Sequence, residues 1–498
     1  MQGDGLLVKT LKKTGRHSII YGIGMSFTAI SGIVLVPLYT RFLNPADYGV
    51  YSLISIIASL LFFLYDFGMI NAIFRWYYQY ESSEVILRRR VVNTAFIFLF
   101  FLASFSTFFL WINSSIISKL VLNSASFTHL IRLMLLGVLL QSLTWVPLSL
   151  LRIREKVVGF TIITMSGITV MIAMNYLLLS IGRGLEGIYE AYIIAYLLMV
   201  AILFFVTRRE YAFDFSVKEL KGMLKFGLPY LSVLIFSWAI DFSDRYLLSR
   251  LSTLQQVGLY SVGYKIGQAM YLAIKAFMVA WVPLMLSLSQ ENRDNAQRIF
   301  GKVFTYFMLS LLFLFLSVSV FSREIIQIFT SQSYYEASQV IPCIAFAYVL
   351  NGVYVFMLCS LIVAKSIYIQ PIVLLVSAIV NIGLNIIWIP RFGMMGSAAA
   401  TVVSYSLVAA ATYLFAQKFY PIPVEWNRIM KILLAVAATY YVSISVPCST
   451  LGTSILLKGT LMAIFFYVLY AVGFFHAKEI ERLKLIFSKR VLSIKARG

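Results

Sequence analysis

Apolar runs of about 20 residues recur along the whole chain, and a helix of that length crosses the hydrocarbon core of a bilayer. The runs are too uniformly apolar for the alternating pattern of barrel strands. The pattern therefore predicts an all-α polytopic membrane protein with fourteen transmembrane helices. The predicted spans cover residues 18–40, 48–70, 91–112, 130–151, 158–180, 187–207, 226–249, 257–285, 300–321, 338–364, 367–389, 394–416, 429–447 and 454–475.

The composition agrees with a membrane protein and excludes a soluble one. Of the 498 residues, 61% are hydrophobic and 12% are charged, and the mean hydropathy is +0.88. A soluble domain carries about twice that share of charged residues. The net charge of +21 would suggest a nucleic-acid partner in a soluble protein. Here the cations flank membrane spans, so no nucleic acid is expected.

Residues that commonly bind metals are few and scattered. Their spacing fits neither a ligand cluster nor a disulfide framework, so no metal site is expected. They are Cys343, Cys359, Cys448, His17, His129 and His476. The sequence also has no P-loop motif and no loop long enough for a soluble ATPase or catalytic domain. We therefore expect no cofactor and no hydrolysis of ATP.

Most Lys and Arg residues fall in alternate loops, which the positive-inside rule assigns to the cytoplasm. Because the number of predicted spans is even, both termini are expected on the cytoplasmic side of the cell membrane. The first apolar run is longer than the core of a signal peptide, so we expect it to be retained. The basic tail after residue 476 suits either an amphipathic helix on anionic lipid or a solvated segment.

Two pairs of similar segments are separated by the same offset of 209 positions. Coincidence among Gly- and Tyr-rich helix ends is the alternative, but two ungapped matches at one offset favour duplication. RFLNPADYGVYS at 41–52 aligns with RLSTLQQVGLYS at 250–261, and GLEGIYEAYIIAY at 184–196 aligns with GMMGSAAATVVSY at 393–405.

Duplication maps spans 1–6 onto spans 7–12 in the same orientation, as in transporters built from parallel repeats. The predicted organisation is therefore two six-helix bundles, at 1–215 and 216–420, followed by two further helices at 421–475. A basic cytoplasmic tail is predicted at 476–498.

The repeat superposes two rows of polar side chains, here called the span-2 row and the span-8 row. At about 100° per residue, each row occupies one helical face. The offset pairs Asp66 with Lys275, so one half has an acid where the other has a base. We expect both rows to line one central cavity. The span-2 row is Tyr48, Ser52, Ser55, Ser59 and Asp66; the span-8 row is Ser261, Tyr264, Gln268, Tyr271 and Lys275, with Lys265 at its edge.

Ionisable side chains inside a membrane are costly and usually face a cavity or a partner. Lys265 and Lys275 are therefore candidate substrate contacts, together with Tyr264, Gln268 and Tyr271. The alternative for either lysine is snorkelling of the amine to the membrane surface.

Three aspartates within the spans are candidate coupling residues. For Asp66, the alternative is an ion pair that only holds helices together. On span 7, Asp241 and Arg245 form an i,i+4 pair beside Asp244. A local structural role is the stronger interpretation for this second group, because it lies near the outer end of its span.

Three segments of the chain resemble the oligosaccharide-lipid and polysaccharide flippases of the multidrug/oligosaccharidyl-lipid/polysaccharide exporter superfamily. The resemblance covers essentially the whole chain. It implies two V-shaped bundles, alternating access, and a cavity formed largely by spans 1, 2, 7 and 8. It also implies a cationic lumen, with family-like charged positions at Arg41, Asp244, Arg245 and Lys265. The segments are VPLYTRFLNPADYGVYSL at 36–53, DRYLLSRLSTLQQVGLYSVGYKI at 244–266 and NIGLNIIWIPRFGMMGSAAATVVSY at 381–405.

These features together predict a flippase for a polyprenyl-diphosphate-linked oligosaccharide, such as a repeat unit of O-antigen or another lipopolysaccharide. Lys265 and Lys275 would hold the diphosphate, with Arg245 and Arg41 as further substrate contacts. Hydroxyl groups of the two rows would replace water around the sugars. The expected partners are this substrate, membrane lipid, and functionally a polysaccharide polymerase and glycosyltransferases.

Two other functions stay open at the level of the sequence. A cation-coupled multidrug exporter would need acidic groups, and Asp66 is the only carboxylate well inside the membrane core of the N-terminal half. A membrane-embedded glycosyl- or acyltransferase would need a general base or a metal site, for which no residue cluster is visible. The expected energy source is the membrane potential or proton exchange, with protonation of Asp66 releasing a pair with Lys275.

Overall fold

The chain is almost entirely helical in the computed structural model. The structure describes residues 27, 31–81, 83–211, 214–291, 293–446, 450–475 and 479, without the side chains of residues 229, 230, 232 and 291. Within these residues there is no β-strand. The predictions for most of span 1, for the basic tail, and for Cys448, His17 and His476 lie outside the described residues.

Eleven helices among the described residues are long and apolar enough to cross a membrane. A twelfth is formed by 217–228 and 233–251, which meet at a bend of 47°. The stretch Ile367–Phe419 is 53 residues long and contains Gly393 at φ 55°, outside the helical region, so it holds two segments of spanning length. The all-α membrane fold is thus confirmed. A total of fourteen helices is compatible with these bounds and stays a prediction.

Contacts divide the chain into two compact units, unit 1 and unit 2. Unit 1 comprises 1–266, 329–337 and 370–404, and unit 2 comprises 267–328, 338–369 and 405–498. This division describes packing rather than duplication, so the bundle boundaries at 215 and 420 stay a prediction.

The helices of unit 1 follow one another through short turns. The first helix in the described part of the chain, α1, covers 31–42, and α11 ends at the boundary with unit 2. Residues 370–404, which begin a later helix, also belong to unit 1. The others are α2 (Pro45–Asp66), α3 (Met69–Tyr77), α4 (Val85–Ile112), α5 (Ser114–Leu122), α6 (Thr128–Leu143), α7 (Trp145–Ile153), α8 (Val157–Ser180), α9 (Gly184–Thr207), α10 (Val217–Leu251) and α11 (Leu254–Gly267).

Local chemistry determines where α2 begins and where it ends. The side chain of Asn44 accepts the backbone N–H of Asp47 at 2.9 Å, and Pro45 occupies the first helical position. The helix stops because Phe67 and Gly68 adopt left-handed conformations, at φ 50° and 75°. Predicted span 2 is therefore a broken helix that continues as α3.

The helices α2 and α11 cross at two glycines that the sequence repeat aligns. A Cβ atom on Gly49 would lie 2.1 Å from a backbone oxygen of α11, and one on Gly258 would lie 1.8 Å from a backbone oxygen of α2. Only glycine permits this approach. One turn further, the Oγ atoms of Ser52 and Ser261 share a hydrogen bond of 2.7 Å. Both contacts join residues 209 positions apart, which is the offset of the sequence repeat.

The helices of unit 2 pack around an aromatic cluster. The rings of Phe277 and Phe307 are 4.3 Å apart, and Trp281 stacks on Phe356 at 5.5 Å. The second part of α16 belongs to this unit as well. The helices are α12 (Met270–Glu291), α13 (Arg293–Val320), α14 (Ser322–Phe329), α15 (Val340–Val363), α16 (Gln370–Phe419), α17 (Trp426–Ser445) and α18 (Leu451–Ala471).

A buried ion pair connects the last helix, α18, to α14. The amine of Lys458 donates to Glu324 Oε1 at 2.6 Å, and the hydroxyl of Ser454 donates to the same oxygen. Burial of Glu324 acts to raise the pKa of its carboxyl, but the hydrogen bonds from Lys458 and Ser454 outweigh burial and lower that pKa. The charged pair therefore stabilises the packing of α18 in unit 2.

Replacing Lys458 with Met should reduce the free energy of unfolding by about 3–5 kcal/mol, because the Glu324 carboxylate then stays buried without its cation. Since the pKa of Glu324 is lowered by folding, the contribution of the pair is present above the ordinary Glu pKa of ~4.3. It is lost as the pH falls through the lowered value. Thermal unfolding in detergent at several pH values measures both effects. A Lys458→Met protein as stable as the wild type at neutral pH would contradict this assignment.

Replacing Gly258 with Ala should destabilise unit 1, because the new methyl group collides with the backbone of α2. The expected cost is at least ~1–3 kcal/mol, the usual penalty of overpacking. Gly159→Ala is the matched control, since a Cβ atom there meets no atom within 4 Å. Equal melting temperatures for the two variants would show that α2 and α11 do not cross in this way.

Candidate functional site

Lys265 lies beside α1. Its side chain is exposed, whereas the neighbouring Tyr264 and Ile266 are buried. A Cβ atom on Gly32 would lie 3.3 Å from both Cε and Nζ of Lys265, so the glycine leaves room for the lysine. Lys265 makes no salt bridge with any described residue, and the charge of Arg245 is near enough to repel it. Its predicted contact with an anionic substrate stays a prediction.

Near Lys265, a buried cluster pairs the charged side chains of Asp244 and Arg245 on α10. Arg245 Nη1 lies 3.2 Å from Asp244 Oδ1 and donates to the backbone oxygen of Asp241. The guanidinium is 4.0 Å from the ring centre of Tyr264, a cation–π contact. The Tyr264 hydroxyl donates to Asp241 Oδ1 at 3.0 Å, and that of Tyr260 donates to Asp244. These contacts support the local structural interpretation, and a substrate or coupling role for the three charged residues stays a prediction.

Arg41 lies in the last turn of α1, and its side chain is exposed. The backbone around it is held in place by residues of the 329–337 segment. Ser331 donates to the carbonyl oxygen of Thr40 at 2.8 Å, and Tyr334 donates to that of Leu43 at 2.9 Å. The backbone at Arg41 is therefore held in place. Contact of its side chain with substrate stays a prediction.

In unit 2, the structure brings three predicted residues into one patch. The amide of Gln268 donates to the hydroxyl of Tyr348 at 3.0 Å. The ring of Tyr271 lies 6.1 Å from that of Tyr348, and the amine of Lys275 lies 5.7 Å from the centre of the Tyr271 ring. Lys275 is exposed and forms no salt bridge with the described residues.

The span-8 row does not lie on one continuous helix. Helix α11 ends at Gly267 and α12 begins at Met270, and the boundary between the two units falls at the same turn. The two helices together still form one candidate span, Leu254–Gln290. The single polar face from Ser261 to Lys275 therefore stays a prediction. A shared central cavity with Asp66 opposite Lys275 stays a prediction.

The residues of the span-2 row lie in different surroundings. The hydroxyl of Ser52 shares a hydrogen bond with that of Ser261 on α11. Ser55 and Ser59 line a cavity of about 370 Å³ within unit 1. Asp66 Oδ1 accepts the backbone N–H of Ile70 at 2.9 Å, so this carboxylate caps the first turn of α3. The capping contact agrees with a structural contribution of Asp66 and leaves its predicted coupling role untested.

The sequence reasoning missed the other polar residues of this cavity. They are four tyrosines, one glutamine and one asparagine, on α1, α2, α6, α8 and α9. Their signal was weak because they are spread over five helices, and only Tyr189 and Tyr192 have helical i,i+3 spacing. The set is Tyr39, Tyr51, Tyr189, Tyr192, Gln141 and Asn175. Elsewhere in the described residues, no three His, Cys, Asp or Glu side chains are grouped to hold a metal ion.

Solved structures confirm the fold. The chain is similar to the lipid II flippase MurJ in an inward closed conformation, with a TM-score of 0.73 and 16% identity, over 91% of this chain and 98% of that one. It is also similar to an inward-facing multidrug resistance transporter of the MATE family, with a TM-score of 0.67 and 13% identity, over 78% of this chain and 94% of that one. At such identities the likeness concerns the fold alone.

Sequence comparison identifies the family. The chain is 24% identical to a Lsg locus protein of Haemophilus influenzae, over 58% of this chain and 69% of that one. It is 25% identical to Agl15 of Haloferax volcanii, named as a probable low-salt glycan biosynthesis flippase, over 36% of this chain and 38% of that one. Residues 38–339 match the family described as "Polysaccharide biosynthesis protein". This chain therefore belongs to that family.

Proposed function

We propose that this protein moves a polyprenyl-diphosphate-linked oligosaccharide from the cytoplasmic leaflet to the outer leaflet by alternating access. The single observation that carries the proposal is the amine of Lys265, which is held beside Gly32 and has no carboxylate partner among the described residues. An amine at membrane depth that has no carboxylate partner can pair with a diphosphate, which offsets the loss of phosphate hydration. Lys275 offers a second such amine in unit 2.

The residues around these lysines have supporting roles in the proposal. The pair of Arg245 and Asp244 holds the aromatic side of α11 against α10, which positions Lys265. Gln268 and Tyr271 offer polar and aromatic contacts to sugars beside Lys275. Arg41 is a further candidate contact. The polyprenyl tail stays in lipid throughout.

The proposed setting is the cell membrane, with both termini in the cytoplasm. The named relatives support a glycan-related substrate, since one is a probable glycan biosynthesis flippase. In this setting the glycan is a polysaccharide repeat unit. Glycosyltransferases would supply the loaded lipid, and a polymerase would use the translocated product.

A cation-coupled multidrug exporter is the second candidate, and the MATE-type fold favours it. Such a transporter needs accessible acidic groups to bind organic cations. Asp244 is buried against Arg245, and Asp66 is engaged by the first turn of α3. Uptake of a cationic dye by vesicles, with no movement of lipid-linked sugar, would favour this candidate over the flippase.

Replacing Lys265 or Lys275 with Gln should slow the flipping of a labelled lipid-linked oligosaccharide in reconstituted vesicles by about 10- to 100-fold. A hydrogen bond to a charged group contributes ~1.5–3 kcal/mol, and ~1.4 kcal/mol is a factor of ten. Lys302→Gln is the matched control, because Lys302 is an exposed lysine on α13 outside the proposed site. Wild-type rates in both Lys265→Gln and Lys275→Gln would refute the proposed role of the amines.

Two variants of Asp66 separate its capping role from a coupling role. Asn keeps an acceptor oxygen for the Ile70 N–H, whereas Ala removes it, so only Ala should destabilise the fold, by about 1 kcal/mol. If protonation of Asp66 drives reorientation, Asp66→Asn should abolish the pH dependence of flipping while the melting temperature stays near that of the wild type. A pH profile identical to that of the wild type would limit Asp66 to its structural role.

A further inference from the structure

The cavity of about 370 Å³ lies wholly within unit 1, among α1, α2, α6, α8 and α9. Its volume falls within the usual range of small-molecule sites. Lys265 and Lys275 are not among the residues that line it. The cavity is therefore a separate feature from the proposed diphosphate site.

The side chains that line the cavity are a mixture of polar, aromatic and aliphatic groups, and none of them is ionisable as an acid or base near neutral pH. Hydroxyl groups come from Tyr39, Tyr51, Tyr189 and Tyr192, and amides come from two further side chains. Such a lining lacks the carboxylate that an organic or inorganic cation would require. It equally lacks the cation that a phosphate would require. It suits an uncharged ligand with many hydroxyl groups.

Tyr189 gives a second, independent indication of a ligand. The residue is 5% exposed, and its hydroxyl forms no well-aligned hydrogen bond with any described residue. Ser55 of α2 lies close to this hydroxyl, but its own proton is donated to the backbone oxygen of Tyr51. A buried hydroxyl without a partner is unfavourable, and a hydroxyl group of a ligand would restore the missing bond.

The remaining polar groups are held in fixed directions. The Tyr39 hydroxyl donates to Asn175 Oδ1 at 3.1 Å, and the Tyr192 hydroxyl donates to Gln141 Oε1 at 2.5 Å. The rings of Tyr39 and Tyr51 meet edge to face at 5.0 Å. Fixed hydroxyl and amide groups between aromatic faces match a sugar, whose C–H groups pack on rings while its hydroxyls exchange hydrogen bonds.

We propose that this cavity is a sugar subsite, which holds one monosaccharide residue of the transported glycan inside the N-terminal helices. The inference rests on the proposed flippase function and adds a site for the uncharged part of the substrate. Ser55 and Ser59 link it to the span-2 row, since both belong to that row and both line the cavity. The diphosphate and the glycan are thus recognised by different groups.

The test uses the full-length protein in vesicles with two labelled probes. One is a polyprenyl diphosphate that carries an oligosaccharide, and the other is the same lipid diphosphate without sugar. Tyr189→Phe should slow movement of the glycosylated probe by about three- to tenfold, as the loss of one hydrogen bond predicts, and leave the bare lipid unaffected. Ala58→Leu, which fills the cavity without removing a polar group, should have the same selective effect. Tyr176→Phe on the exposed face of α8 is the matched control.

Each of the other outcomes counts against either the sugar subsite or the flippase function. If Tyr189→Phe and Ala58→Leu move both probes at wild-type rates, or slow both probes equally, the sugar subsite is overturned while the flippase function stands. If the wild type moves neither probe, the flippase function fails. In that case, calorimetry can measure the binding of the free oligosaccharide to the wild type and to Tyr189→Phe. This measurement tests the sugar subsite separately from transport. Equal affinity, or no binding to the wild type, would overturn it.

Discussion

The backbones of α2 and α11 approach each other at Gly49 and Gly258 so closely that no side chain fits between them. Everything proposed for unit 1 depends on this crossing. It sets the two serines of the repeat at hydrogen-bond distance, and it orients the rest of both helices. From the crossing, α11 continues to Lys265 while α2 continues to the serines of the tyrosine-rich cavity. A shift of the crossing would move both candidate sites together.

Polar groups inside a membrane protein need partners, because lipid provides none. Unit 1 meets this requirement in two ways. Arg245 and Asp244 neutralise each other and are enclosed by Tyr260 and Tyr264, so they fix a structure. The Lys265 amine and the Tyr189 hydroxyl are left for a ligand in the described part of the chain. One of these groups suits an anion and the other suits a sugar, and the proposed substrate contains both.

The helical membrane fold could be predicted from the sequence because each span is a long apolar run. The family could be predicted because its motifs are short, local segments. The repeat also pointed to Ser52 and Ser261, which the structure brings together. The helix breaks at Phe67 and after Gly267 were not predicted, because each lies inside a stretch long enough for one continuous span. The cavity was missed since its tyrosines come from several helices, and their assembly depends on tertiary packing rather than on periodicity.

The central claim is that the Lys265 amine binds the diphosphate of a lipid-linked glycan. The most direct measurement is a cryo-EM density map of the full-length protein with a polyprenyl-diphosphate-linked oligosaccharide bound. The account predicts diphosphate density within ~3 Å of Lys265 Nζ, the distance of a charged hydrogen bond. A map in which the diphosphate is bound by other residues, and the Lys265 amine points into acyl chains, would contradict it.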